Sequence, residues 1–304
     1  MTRLSKFRAC PLCEAICGLE LQYEAGNLTA IRGDEADPFS RGHICPKGNA
    51  ILDLENDPDR LRRPMRRIGD DWQEIGWDEA FTLVGERLAA IQAEHGPDSV
   101  AAYLGNPNVH HFGHIAYLPF LLKLVRSRNV FSASSVDQWP HQLVNAQMYG
   151  HQFLLPVPDI DNTDYFLMLG ANPIASNGSL MTVPDVRERI KALTARGKLT
   201  VIDPRRTETA LLASAHHFIK PAGDVYFLIA FMQVLMQAGE ARIEAYAGKL
   251  NGFAEALSAI SAFRIEDLQA LTGIAPETIT ALAGDFYRAD KAVAYGRMGV
   301  SVQA

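Results

Sequence analysis

The residues of this chain best suited to chemistry are its four cysteines, Cys10, Cys13, Cys17 and Cys45. They follow the pattern C-x2-C-x3-C-x27-C, and no other cysteine occurs in the 304 residues. Three thiolates so close in sequence can surround one inorganic centre, and a distant fourth can complete its coordination. This spacing is typical of a 4Fe-4S cluster.

Two other interpretations of the cysteine motif stay open at the level of spacing. A structural zinc ion held by four thiolates usually takes two close cysteine pairs rather than a close triplet and a distant fourth. Buried cysteines without a metal would not place three thiols within eight residues. A disulfide is disfavoured because the start of the chain, MTRLSKFRAC, has no apolar segment of the secretory type. The triplet favours iron and sulfur.

The sequence around the cysteines predicts a small cluster-binding domain over residues 1–60. Apolar and polar side chains alternate on both sides of Gly26 and Asn27, which predicts a β-hairpin that returns the chain toward Cys45. The next stretch, up to Gly48, is rich in glycine, proline and aspartate. Loops of this kind hold clusters because the sulfurs accept hydrogen bonds from backbone N–H groups.

The remainder of the chain, residues 61–304, alternates helical and strand patterns. Amphipathic periodicity predicts helices over residues 78–95, 115–125, 136–149, 225–236 and 276–287. Short apolar runs predict buried strands at residues 99–105, 164–170, 198–203, 216–220 and 291–296. Such alternation indicates βαβ units. We therefore predict an α/β protein in which a small β-rich domain precedes a doubly wound, Rossmann-like parallel sheet.

Three of the predicted strands end in turns suited to a phosphorylated ligand. Ligands of open α/β sheets gather outside the carboxyl ends of the strands, where glycine backbone and helix N-termini accept phosphate. The turns read G-A-N-P at residues 170–173, D-P-R-R-T-E-T at 203–209 and P-A-G-D at 221–224. Each one alone is a common way to turn a chain, but three at successive strand ends favour a ligand site. No G-x-G-x-x-G motif follows a strand, so a nicotinamide cofactor is not indicated.

The cysteine motif, together with the P-K-G that follows it, resembles a known family. It is similar to the N-terminal domain of the molybdopterin-dinucleotide oxidoreductases, which include formate dehydrogenases, nitrate reductases and dimethyl sulfoxide reductase. The resemblance implies a 4Fe-4S cluster and a bis-molybdopterin guanine dinucleotide cofactor with molybdenum or tungsten. It also implies an electron-transfer role for Lys47, because cluster-bearing members have a lysine at this place, between the cluster and a pterin.

The resemblance extends to the three strand-end turns. G-A-N-P and I-D-P-R-R-T-E-T-A are similar to the dinucleotide-contacting turns of the family, whereas P-A-G-D has its glycine one residue later than the family's P-G-T-D or P-G-S-D pattern. The resemblance implies cofactor contacts at Gly170, Asn172, Asp203, Thr209, Gly223 and Asp224.

The expected metal-binding stretch departs from the commonest family pattern. Formate dehydrogenases and nitrate reductases of the family bind the metal through cysteine or selenocysteine, and residues 130–136 contain neither. Alignment with dimethyl sulfoxide reductase, where a serine follows an aromatic residue, implies Ser132 as the ligand, and an alkoxide oxygen suits a high-valent metal. A shift of one residue would put Phe131 at the metal instead, and the serine also fits a helix cap. His141, just beyond this stretch, is expected to line the substrate pocket.

Composition sets bounds on partners and location. The net charge of -6 and the isoelectric point near 5.9 give no general attraction to nucleic acid. No apolar run reaches the ~20 residues that a membrane span requires. We expect a cytoplasmic protein without a membrane span that acts on a small-molecule substrate. Its expected partners are a redox protein or further C-terminal domains.

Three functions stay open. The first is a molybdenum or tungsten oxidoreductase that passes electrons between a small substrate and the cluster. The second is a non-catalytic iron-sulfur electron-transfer subunit, or a fragment of such an enzyme. It is favoured by the missing cysteine and because family chains continue into a further α/β domain and a β-barrel, which makes the region 61–304 incomplete by comparison. The third is a zinc-stabilised α/β binding module.

Overall fold

The computed structural model describes residues 3–13, 15–178, 181–238 and 248–301. The chain divides into two compact units, Met1–Ala133 and Ser134–Ala304. Each unit has its own sheets and its own buried core. Within the described part of the chain, no helix is both long enough and apolar enough to span a bilayer.

The first unit opens with a three-stranded antiparallel sheet. Its strands are β1 (Arg3–Ala9), β2 (Gly18–Glu24) and β3 (Asn27–Gly33), with β2 in the centre. The predicted hairpin is confirmed as β2 and β3. Its turn lies at Ala25 and Gly26, which both adopt positive φ, rather than at Gly26 and Asn27. The sequence pattern does not reveal β1, because its described side chains are exposed and show no apolar alternation.

The inner face of this sheet joins the cysteines to a small core. Leu19, Leu21 and Ile31 are buried, and they cluster with Cys10 and Cys17. The cysteine loop therefore rests on apolar side chains of the sheet.

The first unit continues with short helices, a hairpin and a pair of parallel strands. In chain order these elements are α1 (Pro46–Asn49), α2 (Ile51–Asn56), β4 (Met65–Ile68), β5 (Asp71–Glu74), α3 (Trp77–His95), β6 (Ala102–Leu104), α4 (Phe112–Val125) and β7 (Val130–Ser132). α3 and α4 confirm two predicted helices. β6 is shorter than the predicted strand because Pro97–Ser99 forms a 3-10 turn. β7 pairs in parallel with β6, in the expected metal-binding stretch, where the sequence predicts no strand.

A four-stranded parallel sheet forms the centre of the second unit. Its strands are β8 (Tyr165–Leu169), β9 (Lys198–Ile202), β10 (Ala215–His217) and β11 (Ala292–Gly296). Their order across the sheet is β10-β9-β8-β11. The chain thus moves outward from β8 to β10 and then returns to the other side of β8. Sheets of this class bind ligands where the strand order reverses, which here lies between β8 and β11.

Three helices of the second unit lie close to those predicted over residues 136–149, 225–236 and 276–287. In chain order, the described helices of this unit are α5 (Trp139–Tyr149), α6 (Pro173–Ser176), α7 (Val186–Arg196), α8 (Asp224–Ala238), α9 (Phe253–Ser261), α10 (Ile265–Thr272), α11 (Pro276–Arg288) and α12 (Met298–Ser301). α5 starts three residues later than the predicted helix over residues 136–149, and Pro140 lies in its first turn. Proline is well tolerated there because the first helical N–H groups have no partner in the helix.

Apolar side chains cover both faces of this sheet. Tyr165, Leu167 and Leu169 pack toward α8, α10 and α11, while Phe166 and Met168 pack toward α7. All five are buried, and burial of such a side chain contributes roughly 1.5–3 kcal/mol. β8 is therefore fixed by the core, and the turn at its carboxyl end starts from a rigid strand. The doubly wound α/β fold is confirmed.

Candidate functional site

The cysteine loop is closed by its own backbone. The N–H of Cys10 donates to the carbonyl of Cys17 across 2.8 Å, and the N–H of Ile16 donates to the carbonyl of Cys13 across 3.1 Å. These bonds hold the first three cysteines on one short loop at the end of β1. All four cysteines are free thiols.

The return of Cys45 to this loop depends on close backbone packing. A Cβ added at Gly33 would lie 1.9 Å from the carbonyl oxygen of Gly42, so only glycine fits between β3 and the loop that follows. The hydroxyl of Ser40 accepts a hydrogen bond from the N–H of Gly18 at 3.0 Å and donates to Asp37. The loop before Cys45 is therefore fastened to the start of β2, which begins beside the cysteine triplet.

Burial and neighbouring thiols raise the pKa of two of the four cysteines. Burial raises the pKa of Cys17 to about 11, and the other three cysteines add to the increase. The pKa of Cys10 is raised by burial first and by Cys13 and Cys45 in addition. Thiols that oppose each other's ionisation are stabilised as thiolates when they bind cations. The donor set of four close, free thiols therefore fits an iron-sulfur cluster.

A single zinc ion needs a different arrangement of ligands from a 4Fe-4S cluster. A tetrahedral zinc site needs its ligands around one position, and no three His, Cys, Asp or Glu side chains in the described ranges are grouped to hold one ion. A 4Fe-4S cluster distributes its four thiolates over several iron atoms.

The fourth cysteine leads directly into helix α1. Cys45 precedes Pro46, the first helical residue, and its carbonyl accepts a bond from the N–H of Asn49 at 3.1 Å. Gly48 is buried, and a Cβ there would lie 3.0 Å from Ile44 Cγ1 and 4.0 Å from Cys10 Sγ. Lys47, between them, is exposed. P-K-G thus places a close-packed glycine beside the cysteines and directs a lysine to the surface.

The turn after β8 is shaped by Gly170. This residue has φ of +54°, and its N–H donates to the carbonyl of Ile202 at 3.0 Å. A Cβ at Gly170 would lie 2.8 Å from Cα of Gly299, in the short helix α12 that makes the turn after β11. The two turns that flank the reversal of strand order therefore touch through two glycines.

Asn172 and Thr209 join the turns after β8 and β9. Oδ1 of Asn172 accepts from the Thr209 hydroxyl at 2.7 Å and from the Thr209 N–H at 3.2 Å. Nδ2 of Asn172 donates to Glu208 at 2.6 Å. Hydrogen bonds from its own backbone N–H and then from Asn172 lower the pKa of Glu208. The structure therefore brings these two predicted residues together, and they bind each other.

Asp203 and the residues after β10 are also near the carboxyl edge. Asp203 is buried, its Oδ1 accepts from the N–H of Arg205 at 2.8 Å, and its carbonyl accepts from Nε2 of His216 at 3.1 Å. Asp224 is the buried first residue of α8. A Cβ at Gly223 would lie 2.8 Å from the carbonyl oxygen of Lys220, so this glycine allows close backbone packing.

His141 contacts the last residue of β11 and the last residue of α12. Its Nε2 donates to the carbonyl of Gly296 at 3.1 Å, and its Nδ1 lies 3.3 Å from the hydroxyl of Ser301. Because the carbonyl only accepts, Nε2 carries a hydrogen, while the Ser301 hydroxyl lies 3.3 Å from both Nδ1 and the carbonyl of Arg297. Both ring nitrogens are engaged, so proton transfer to a substrate would require one of these bonds to break.

The sequence argument does not single out Asp137 and Arg297, which form an ion pair in the second unit. NH2 of Arg297 lies 3.4 Å from Oδ1 of Asp137. Arg297 directly follows β11, so the rule that selected the other strand-end turns also points to it. Ser132, the expected metal ligand, is the half-buried last residue of β7 in the first unit.

A four-thiol cofactor loop followed by a doubly wound sheet with polar turns at its carboxyl edge defines an iron-sulfur protein with a second cofactor site. The comparisons with known proteins give the family. Residues 60–246 match the family model for molybdopterin oxidoreductase, and residues 8–57 match the molybdopterin oxidoreductase Fe4S4 domain. The chain belongs to the molybdopterin oxidoreductase family. Its cofactors are therefore a 4Fe-4S cluster and molybdopterin with molybdenum or tungsten.

Two curated relatives match almost the whole chain. Formate dehydrogenase H of Escherichia coli is 27% identical over 301 residues, covering 96% of this chain and 41% of the relative. F420-dependent formate dehydrogenase 2 subunit alpha of Methanococcus maripaludis is 25% identical over 293 residues, covering 96% of this chain and 42% of the relative. The chain thus spans about two-fifths of the length of these relatives.

A solved structure shares the fold. Acetylene hydratase from Pelobacter acetylenicus matches with a TM-score of 0.78 and 22% identity, over 97% of this chain and 40% of that one. At this level of identity the match shows the fold alone.

Proposed function

We propose that this chain is the cluster-binding and cofactor-binding part of a molybdenum or tungsten oxidoreductase that passes electrons between a small substrate and the 4Fe-4S cluster. The observation that carries the proposal is the set of four free cysteines, of which Cys10 and Cys17 are buried in one cluster with Cys13 packed against it. The strand-end turns supply the second half of the argument, since they lie where α/β sheets bind phosphorylated cofactors.

The residues of this chain have distinct roles in the proposal. When bound, the molybdopterin centre supplies two-electron redox chemistry and the cluster carries single electrons. The cluster is held by Cys10, Cys13 and Cys17 on the loop between β1 and β2, and by Cys45 directly before α1. Lys47 lies one residue beyond Pro46 and provides a positive charge next to the cluster. Ser132 stays the predicted metal ligand, and His141 a predicted pocket residue.

The six predicted dinucleotide residues divide into two groups. Gly170, Asn172, Asp203 and Thr209 lie in turns that are bonded to each other across β8 and β9. Their part is to hold backbone N–H groups in place for the guanine dinucleotide form of the cofactor. Gly223 and Asp224 stand at the start of α8, where a helix N-terminus favours a negative group.

Partners and location complete the proposal. One relative is, by its name, an alpha subunit of a larger enzyme. We infer that this chain likewise works with a redox partner protein or with further domains that enclose the cofactor, because an open site loses the dry environment that redox catalysis needs. A cytoplasmic location is part of the proposal, and the four free thiols agree with a reducing compartment.

The test is cofactor analysis of anaerobically purified protein from a host that makes molybdopterin cofactors. We expect about four irons per chain, together with molybdenum or tungsten, oxidised-pterin fluorescence and released guanine nucleotide. Stoichiometric zinc without iron would contradict the cluster, and iron without any pterin would contradict the oxidoreductase.

A non-catalytic electron-transfer subunit is the second candidate. It is favoured by the absence of cysteine from residues 130–136 and by the engagement of both ring nitrogens of His141. It predicts a cluster that is reduced and reoxidised normally in a chain that holds no metal besides iron.

A further inference from the structure

The ion pair between Asp137 and Arg297 has unused hydrogen-bonding capacity on both sides. Oδ1 of Asp137 lies 3.4 Å from NH2 of Arg297, yet it is buried and has no hydrogen-bond partner among the described residues. NH1 of Arg297 is also buried without a partner in that part of the chain. The two charges attract each other, but the pair presents one vacant acceptor beside one vacant donor.

Buried polar atoms of this kind are rare in folded proteins. About nine in ten buried polar groups find a partner, and one that does not calls for an explanation such as strain, a catalytic role, or a bound water or ion. The pair is only partly exposed, with 18% of the Arg297 side chain and 32% of the Asp137 side chain accessible. Bulk water therefore satisfies neither vacant atom fully.

The position of the pair agrees with a ligand. Arg297 directly follows β11, and its N–H donates to the carbonyl of Leu169 at the end of β8 at 3.2 Å. These strand ends flank the reversal of strand order, where α/β sheets bind cofactors. The N–H of Gly299 also donates to the carbonyl of Gly170 at 3.3 Å. The backbone at Arg297 and Gly299 is thus fixed to the end of β8 and to Gly170, next to the expected cofactor site.

We infer that Asp137 and Arg297 together hold the molybdopterin cofactor, a step that rests on the proposed function. Asp137 Oδ1 donates an electron pair to the cofactor, and Arg297 NH1 donates a hydrogen bond to an adjacent oxygen. Two parts of the cofactor offer this combination. One is the 2-amino-4-oxo edge that pterin and guanine rings share, with N–H beside C=O. The other is the metal centre, to which Asp137 would supply an oxygen ligand and Arg297 a hydrogen bond.

The experiment compares the pair with a matched ion pair in the same unit. Asp161 and Arg189 lie 2.6 Å apart with 38% and 16% of their side chains exposed, close to the values for Asp137 and Arg297. Asp161 precedes β8, at the opposite end of the strand from Gly170. Asp137→Asn and Arg297→Met are therefore tested against Asp161→Asn and Arg189→Met in the holoprotein.

The first readout is the rate of cofactor release after dilution, monitored by pterin fluorescence. We expect about ten- to hundredfold faster release from Asp137→Asn and Arg297→Met, the loss that follows removal of a hydrogen bond to a charged group. The control variants should release cofactor at the wild-type rate. Iron per chain and the melting temperature of cofactor-free protein should change no more than in the controls. Release at the wild-type rate from both pair variants overturns the inference and leaves the proposed function standing.

X-ray absorption at the molybdenum or tungsten edge distinguishes the two parts of the cofactor. Loss of one oxygen ligand in Asp137→Asn places the pair at the metal and replaces Ser132 as the predicted ligand. An unchanged metal spectrum with faster release places the pair at the ring edge. Wild-type protein that holds iron but never acquires pterin overturns the proposed function, and the inference with it.

Discussion

The Thr209 hydroxyl donates to Oδ1 of Asn172 across 2.7 Å and accepts from the N–H of Ile174 at 3.2 Å. One side chain thus joins the turn after β9 to the turn after β8 and to the first residues of α6. Thr209 is fully buried, so water cannot replace these bonds. Asn172 and Thr209 were expected to contact the cofactor, and the structure shows that their polar atoms first organise the turns that would receive it.

Thr209→Val should destabilise the protein, because it keeps the side-chain shape but removes the hydroxyl that both Asn172 and Ile174 use. We expect a loss of about 1–3 kcal/mol in the free energy of unfolding. Thr209→Ser keeps the hydroxyl and serves as the control, with a smaller loss. Urea unfolding followed by circular dichroism measures both. An unchanged midpoint for Thr209→Val would show that the bond between the turns contributes nothing to stability.

Cys17→Ser should remove or cripple the 4Fe-4S cluster. Cys17 is buried beside the other three cysteines, and a serine hydroxyl is a poor substitute for a thiolate on iron. Iron per chain should fall from about four, and the broad visible absorption that bleaches on reduction should disappear. Ser40→Ala, which weakens the loop but keeps all four thiols, is the comparison. Full iron content in Cys17→Ser would exclude this residue as a ligand.

Lys47→Met should leave the iron content intact and slow electron transfer to or from the cluster. The lysine is exposed and follows Cys45 by two positions, so its removal takes away a positive charge near the cluster without opening the core. Stopped-flow reduction and reoxidation of the cluster absorption is the measurement. Lys123→Met, which removes an exposed lysine from α4 of the same unit, is the control. Wild-type rates in Lys47→Met would make Lys47 an ordinary surface residue.

The buried strands of the fold were predicted well, because a buried strand requires a run of apolar residues. β8, β9 and β11 are short apolar runs between turns, and each lies within a residue or two of its predicted bounds. β7 and β1 were missed for the opposite reason. β1 exposes its described side chains, and β7 is three residues long and half-exposed, so neither leaves a periodic signal.

The candidate site was predictable where ligands are close in sequence. The cysteine spacing alone led to the cluster, which the family match confirms. Asp137 and Arg297, in contrast, are separated by the entire sheet of the second unit, and their pairing follows from the strand order. A single sequence predicts which segments form strands more readily than it predicts the order of those strands in the sheet. The hydrogen bonds between Asn172 and Thr209 could not be predicted for the same reason, because they join the turns of two different strands.

His217 should make stability fall at mildly acid pH. Burial first, and then the positive charges of His216 and Lys198, lower its pKa from the ordinary value of about 6.5. Above that value the side chain is neutral in both folded and unfolded protein, so it adds no pH dependence. Below it the unfolded chain takes up the proton first, and the free energy of unfolding falls until the lower pKa of the folded state is passed.

The measurement is the urea midpoint of iron-loaded protein as pH falls from about 7.5 to about 5, the range in which histidine titrates. His217→Gln should lose part of the decline, because glutamine does not ionise and has a comparable size. His95→Gln is the control, since the His95 side chain is 60% exposed and its solvation changes little on unfolding. The cluster contributes equally to all three proteins, so only differences between their pH profiles count. Identical profiles for wild type and His217→Gln would mean that His217 is protonated equally in the folded and unfolded chain.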